Sequence, residues 1–295
     1  MSTNMLQSTH GPAHLRALLA RGGLLIAPGV YDGLSARIAE LAEFDALYVS
    51  GGAIARGMGY PDIGLVTQTE MVKRLEEIHA VTRLPLIVDA DTGYGNALNV
   101  IRTVRAYERA GAAALHLEDQ VEPKRCGHYE GKQIIDAHEM VQKIRAATAA
   151  RENPDLLLIA RTDARAVAGL EEAIGRGNAY AEAGADVIFV EAPQSLAEIE
   201  RIAREVHAPL LINMFWGGKT PLLPPARLAE LGYRIMIVPS DLQRAAIRAM
   251  QRAAAVLRQQ GNTASMADEM VSFAEREQVI GLAEVEELQR RFLQR

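Results

Sequence analysis

Polar residues recur at matching points of this chain, each directly after a short aliphatic run: Ser50-Gly51-Gly52, Asp89 with Asp91, Glu118-Asp119, Arg161-Thr162-Asp163, Glu191 and Asn213. Carboxylates gathered around one cavity repel one another and are costly to bury unless a cation neutralises them. Acid oxygens without a histidine cluster suit hard Mg2+, or Mn2+, better than Zn2+. Taken singly, each acid has a plainer role, capping the next helix or pairing with Arg161. The convergent set favours the metal, because capping does not require the same side of a fold each time.

Two further segments carry chemistry. Ser50-Gly51-Gly52 can offer backbone N–H groups to a carboxylate, since glycine permits close approach; the plain alternative is a turn. Lys124-Arg125-Cys126-Gly127-His128 sets the single cysteine among two cations and a histidine, neighbours that would lower a thiol pKa. That polar setting favours a catalytic cysteine over a buried structural one. A lone cysteine makes no internal disulfide and no thiolate metal cage.

These residues need elements to bring them together. Eight aliphatic runs precede them: Leu24–Ala27, Ala46–Ser50, Leu86–Asp89, Ala114–Glu118, Leu156–Ala160, Val187–Glu191, Leu210–Asn213 and Ile235–Pro239. Each is too short and too uniformly apolar for a surface helix and reads as a parallel strand buried on both faces. Between them, apolar residues at three- and four-residue spacing predict helices over Ala97–Ala110, Ala137–Ala150, Leu170–Ala183 and Leu196–Val206, several ending at a glycine such as Gly111, Gly184 or Gly232. Alternation with short returns predicts a closed (β/α)8 TIM barrel, with an open doubly wound sheet as the alternative. Loops at the strand C-termini form the mouth of such a barrel, and there the polar residues meet.

Pro12–Ala20 reads as a short helix covering the barrel bottom. Residues 242–295 exceed one closing helix and carry Phe273, Ile280, Leu282, Leu288 and Phe292, which want a partner surface on this barrel or on a neighbouring subunit. The whole chain, residues 1–295, is expected to be one barrel domain, a size such barrels commonly reach. With 49% hydrophobic and 23% charged residues it is globular, and a net charge of −5 with mixed signs provides no basic stripe for nucleic acid. No apolar run approaches the roughly 18 residues that span a bilayer. Residues 1–10 lack the charged-then-apolar order of a secretory leader, so a cytoplasmic location is expected.

The runs VDADTGYGN (Val88–Asn96), LEDQ (Leu117–Gln120), KRCGH (Lys124–His128), ARTDA (Ala160–Ala164) and VEAP (Val190–Pro193) resemble the isocitrate lyase and phosphoenolpyruvate mutase superfamily over almost the entire chain. Length and loop are most similar to its 2-methylisocitrate and 2,3-dimethylmalate lyase branch. The resemblance implies a barrel whose eighth helix is exchanged within a homotetramer. It also implies that Asp89, Asp91 and Glu118 hold Mg2+, partly through water, while Ser50, Gly51, Gly52 and Arg161 hold a 2-oxo acid portion. Tyr48 and Asp62 match positions near the reacting hydroxyl. Cys126, Gly127 and His128 match a mobile closing loop, and Glu191 and Asn213 line the other half of the pocket.

The implied reaction breaks the C2–C3 bond of a small 2-hydroxy carboxylate, leaving a 2-oxo acid and a carbanion that a thiol can protonate. Hydrolysis or decarboxylation of oxaloacetate and a phosphonopyruvate-type rearrangement are the alternatives on the same scaffold. A Schiff-base aldolase is disfavoured because none of the five lysines lies in an expected strand. A barrel that binds ligand without turnover is the reading from another class. Two residues depart from the family pattern: Trp216, the only tryptophan, stands where related lyases carry glutamate, and Asp241 stands where they carry a hydroxyl. Both are expected in the substrate pocket, disfavouring a tricarboxylate relative to a smaller substituted malate.

Overall fold

The computed structural model describes residues 11–293. The leader expectation for residues 1–10 and the last two residues of the C-terminal extension lie outside the described residues. Eight parallel strands close into a barrel in chain order: β1 (Leu25–Val30), β2 (Leu47–Val49), β3 (Leu86–Asp89), β4 (Ala112–Glu118), β5 (Leu157–Thr162), β6 (Val187–Val190), β7 (Leu210–Asn213) and β8 (Tyr233–Val238). Pairing of Leu25 with Ile235 closes the ring. The helices are α1 (Pro12–Ala20), α2 (Gly33–Leu41), α3 (Gly51–Gly57), α4 (Gln68–His79), α5 (Ala97–Arg109), α6 (Ala137–Ala150), α7 (Ala164–Val167), α8 (Leu170–Glu182), α9 (Leu196–Glu205), α10 (Pro225–Glu230), α11 (Asp241–Gln260), α12 (Phe273–Val279) and α13 (Leu282–Leu293). The closed barrel excludes the open sheet. Gly111, Gly184 and Gly232 all have left-handed backbone, with φ of 100°, 110° and 94°, where the chain turns from helix into strand.

The period of two along each strand divides the core. Val49, Val88, Leu115, Leu158 and Ile188 face outward and pack under the helices. Tyr48, Ile87, Ala114, Ile159, Phe189, Leu211 and Ile237 face inward and fill the barrel. Leu15 of α1, fully buried, joins that inner cluster from the bottom, so the N-terminal helix acts as a plug.

The same alternation carries each strand's next inward residue to the mouth. Ile87 is followed by Asp89, Ala114 by His116 and Glu118, Ile159 by Arg161, Phe189 by Glu191, and Leu211 by Asn213. Register sets their heights, with Asp89 opposite His116 and Glu118 opposite Arg161.

The C-terminal region differs from the other helices. Of the 20 residues of α11 only Gln243 is buried, and α12 and α13 bury none. Met250 is 61% and Phe273 72% exposed, although α12 rests against α2. No helix among the described residues is long and apolar enough to cross a membrane.

Candidate active site

A cavity of about 300 Å³ opens at the strand C-termini. Tyr48, Ser50, Gly52, Asp62, Asp89, Cys126, Gly127, His128, Arg161, Glu191 and Asn213 all line it, as the sequence leads one to expect. Gly51 stands just behind the wall, its N–H donating to Asp89 Oδ2 at 3.2 Å. That amide is therefore already engaged and is not free for a ligand. Ser50 caps α3, its Oγ accepting from Ala53 N–H.

At the floor, Tyr48 Oη and His116 Nε2 are hydrogen-bonded at 2.7 Å, and His116 Nε2 lies 3.4 Å from Asp89 Oδ1. Burial drives the His116 pKa down to about 4 against the pull of Asp89, so the ring rests neutral. Burial, reinforced by Asp89, raises the Tyr48 phenol well above its ordinary range, so it rests protonated. His116 escaped the sequence reading, although a histidine inside the run AALHLE is itself a signal.

Protein cations meet most of the acid oxygens. Lys124 Nζ lies 2.6 Å from Asp62 Oδ1 and 2.7 Å from Asp91 Oδ1. Burial opposes that ammonium, but Asp91, Asp62 and Asp89 together outweigh it and keep it charged. Arg161 Nε stands 2.9 Å from Asp163 Oδ2 and 3.2 Å from Glu118 Oε2, and Arg161 Nη1 is 3.9 Å from Glu191 Oε2. Pairing with Arg161, the plainer alternative for the strand-end acids, is thus real for three of them.

The ledger of charge still leaves a deficit at the metal candidates. Glu118 Oε1 is buried without a hydrogen-bond partner, and burial pushes Glu118 well above the usual carboxylate range despite Arg161. Asp91 is raised to about 6, by burial first, with Lys124 opposing and Asp89 adding to the shift. Asp91 also holds a left-handed backbone, φ 45°, an arrangement that needs its surroundings to enforce it. Oxygen donors short of positive charge fit a hard divalent ion. Among the described residues, however, no three His, Cys, Asp or Glu side chains form a ready-made cage. Lys124 stands against Asp91 instead, so the acids fit the ion in charge and donor type and not as a preformed shell.

The loop after β4 covers the cavity. Gln120 clamps its base, accepting from Arg125 N–H at 2.9 Å and donating to Arg125 O at 2.8 Å, and Cys126 N–H donates to Asp62 O at 3.1 Å. Lys219 N–H donates to His128 Nδ1 at 3.2 Å, which turns Nε2 toward Glu191 Oε1, 3.1 Å away. The expectation of an acidified thiol is corrected: burial and then Asp62 push Cys126 up to about 11. Lys124 is turned to Asp62 and Asp91 and Arg125 is exposed, so neither loop cation offsets the burial of the thiol.

Trp216 and Asp241 do not enter the cavity. Trp216 is 70% exposed at the rim. The Arg244 guanidinium stacks over its indole at 5.4 Å, donates to its backbone carbonyl, and lies 3.5 Å from Asp241 Oδ1. Arg244 and Arg56 line the cavity instead. Neither was singled out from sequence, because each sits on a helix after the strand, among many surface arginines.

The chain matches the phosphoenolpyruvate phosphomutase family over residues 15–258. It is 46% identical to the 2,3-dimethylmalate lyase of Eubacterium barkeri, covering 95% of this chain and 97% of that one. It is 46% identical to the 2-methylisocitrate lyase of Aeropyrum pernix, covering 92% of this chain and 88% of that one. A solved structure of phosphonopyruvate hydrolase, in complex with oxalate and Mg2+, superposes with a TM-score of 0.87 at 32% identity, covering 96% of this chain and 99% of that one. The chain belongs to the PEP mutase/isocitrate lyase superfamily, and the two relatives at 46% identity are named as lyases.

Proposed function

We propose that this chain is a Mg2+-dependent lyase that cleaves the C2–C3 bond of a small 2-hydroxy dicarboxylate of the substituted malate class, releasing a 2-oxo acid such as pyruvate and a second carboxylate. The observation that carries the proposal is a protonated thiol, Cys126, facing the same cavity as the Arg161 guanidinium and the Asp89 carboxylate. Asp89, Asp91 and Glu118 would hold the ion, with Mn2+ as the substitute. Bound there, it would supply a Lewis acid for the charge that develops on the substrate's C2 oxygen.

The protein's own groups do the rest. Arg161, fixed by Asp163, and the turn at Ser50 and Gly52 hold the carboxylate next to C2. Tyr48 Oη receives the 2-hydroxyl proton as its own proton passes along the 2.7 Å bond to His116 Nε2. Asp89, 3.4 Å from that nitrogen, offsets the charge arriving on the ring, which burial otherwise keeps neutral. As the C2–C3 bond breaks, its electron pair moves onto C3 and into the adjoining carboxylate. Cys126 Sγ then delivers its proton to C3, while Asp62 and His128 with Glu191 fix the loop that brings it there and excludes water. A thiol held up at about 11 is still protonated when the carbanion forms.

At the outer end, Arg244 meets the second carboxylate. Asp241 and Trp216 hold Arg244 from outside, and Asp241 also repels a third carboxylate. They set specificity through Arg244, without contact to the substrate. The enzyme works as one barrel domain, with residues 242–295 as closing helix and extension. The nearly bare α11 supports exchange of that helix within a homotetramer, and a free thiol suits the cytoplasm. Hydrolysis of a 2-oxo substrate is the second reading, favoured by the likeness to phosphonopyruvate hydrolase.

The test is metal-dependent product release from a panel of substituted malates, methylisocitrate, oxaloacetate and phosphonopyruvate. A 2-oxo acid formed from a malate with Mg2+ and not with EDTA supports the lyase. Turnover of oxaloacetate or phosphonopyruvate alone supports the hydrolase.

A further inference from the structure

Lys132 lies six residues beyond Cys126 on the same loop, yet its side chain is only 2% exposed. A buried ammonium needs partners, and it has two: it donates to the Gly127 carbonyl oxygen and, at 2.7 Å, to Asp163 Oδ1. That same Asp163 carboxylate takes Arg161 Nε on Oδ2 at 2.9 Å and Arg161 Nη2 on Oδ1 at 3.2 Å. Asp163 is in turn fixed to the barrel wall, its N–H donating to Asp119 Oδ1 at 2.9 Å. One carboxylate therefore joins the guanidinium of the cavity to the backbone of the covering loop, through a lysine that does not itself line the cavity.

The fit at Gly127 shows how closely the loop seats. A Cβ at this position would lie 2.5 Å from Arg161 Nη2 and 2.6 Å from Glu191 Oε1, so the peptide rests directly on both groups. With the loop down, the Gly127 carbonyl is sealed from water and Lys132 is the donor that satisfies it. Lifting the loop would break that bond and leave the ammonium only Asp163. We propose that Lys132 is a positioning residue: its ammonium latches the Cys126–His128 loop shut and ties closure to the placement of Arg161. The effect on turnover rests on the lyase reading; the latch itself does not.

The experiment reads the loop through labelling rates that need no substrate. Cys126 is the only cysteine, so its alkylation by iodoacetamide reports on the closed loop. In Lys132→Met, with unchanged far-UV circular dichroism, alkylation should quicken by about tenfold or more, and Lys132→Arg should restore a rate near wild type. Where malate turnover is measurable, kcat should fall at least tenfold in Lys132→Met with KM altered less than about threefold. The reciprocal variant covers the case in which Lys132→Met does not fold. In Gly127→Ala the added Cβ, 2.5 Å from Arg161 Nη2 and 2.6 Å from Glu191 Oε1, should hold the loop off both groups, so Lys132 should become about tenfold more reactive to acetic anhydride. An unchanged Cys126 rate in folded Lys132→Met, or an unchanged Lys132 rate in Gly127→Ala, would overturn the latch.

Discussion

The Lys124 ammonium lies 2.6 Å from Asp62 Oδ1, a contact that ties the loop carrying Cys126 to the segment following α3. Both groups are buried, and Asp91 stands on the other side of the same ammonium. Breaking a buried pair by removing one partner typically costs about 3–5 kcal/mol. Lys124→Met should therefore lower the free energy of unfolding by about that amount in EDTA. Added Mg2+ should then raise the melting temperature more in Lys124→Met than in wild type, because Asp91 is no longer shared with the lysine. Equal shifts in the two proteins would argue against a cation at Asp91.

The Cys126 thiol, raised to about 11, has a pH signature of its own. Below that value the thiolate fraction grows about tenfold per pH unit, whereas an ordinary thiol levels off near 8.5. Alkylation of the closed enzyme should keep climbing through pH 9 and 10. A plateau near pH 9 would show that the thiol is not held up by its surroundings.

At the rim, Asp241→Ser should free the Arg244 charge that Asp241 now partly neutralises. Relative kcat/KM for methylisocitrate over a substituted malate should rise about tenfold, the range that one charged contact controls. Trp216→Ala should weaken both substrates alike by loosening Arg244. An unchanged ratio in Asp241→Ser would remove the rim from specificity.

All eight strands were legible because a parallel strand buried on both faces is a continuous aliphatic run, and the inward residue after each run fell at the mouth by alternation alone. What escaped depends on contacts between distant segments. Nothing in Lys124-Arg125-Cys126 tells that the lysine reaches Asp62 and Asp91, so the thiol's shift was read in the wrong direction. Trp216 and Asp241 are expected in the substrate pocket from their place after β7 and β8, but loop geometry turns them outward to Arg244. His116 stands out in its apolar run, but its partners Tyr48 and Asp89 lie on other strands, and Lys132 sits in a loop whose polar composition looks solvated.

The central claim is that Cys126 protonates the departing carbon, and steady-state turnover of Cys126→Ser with saturating Mg2+ and a substituted malate tests it most directly. A hydroxyl is a far weaker acid than a thiol, so kcat should fall by roughly 10²-fold or more while KM stays within a few-fold of wild type. Turnover equal to that of the unmodified enzyme would contradict it.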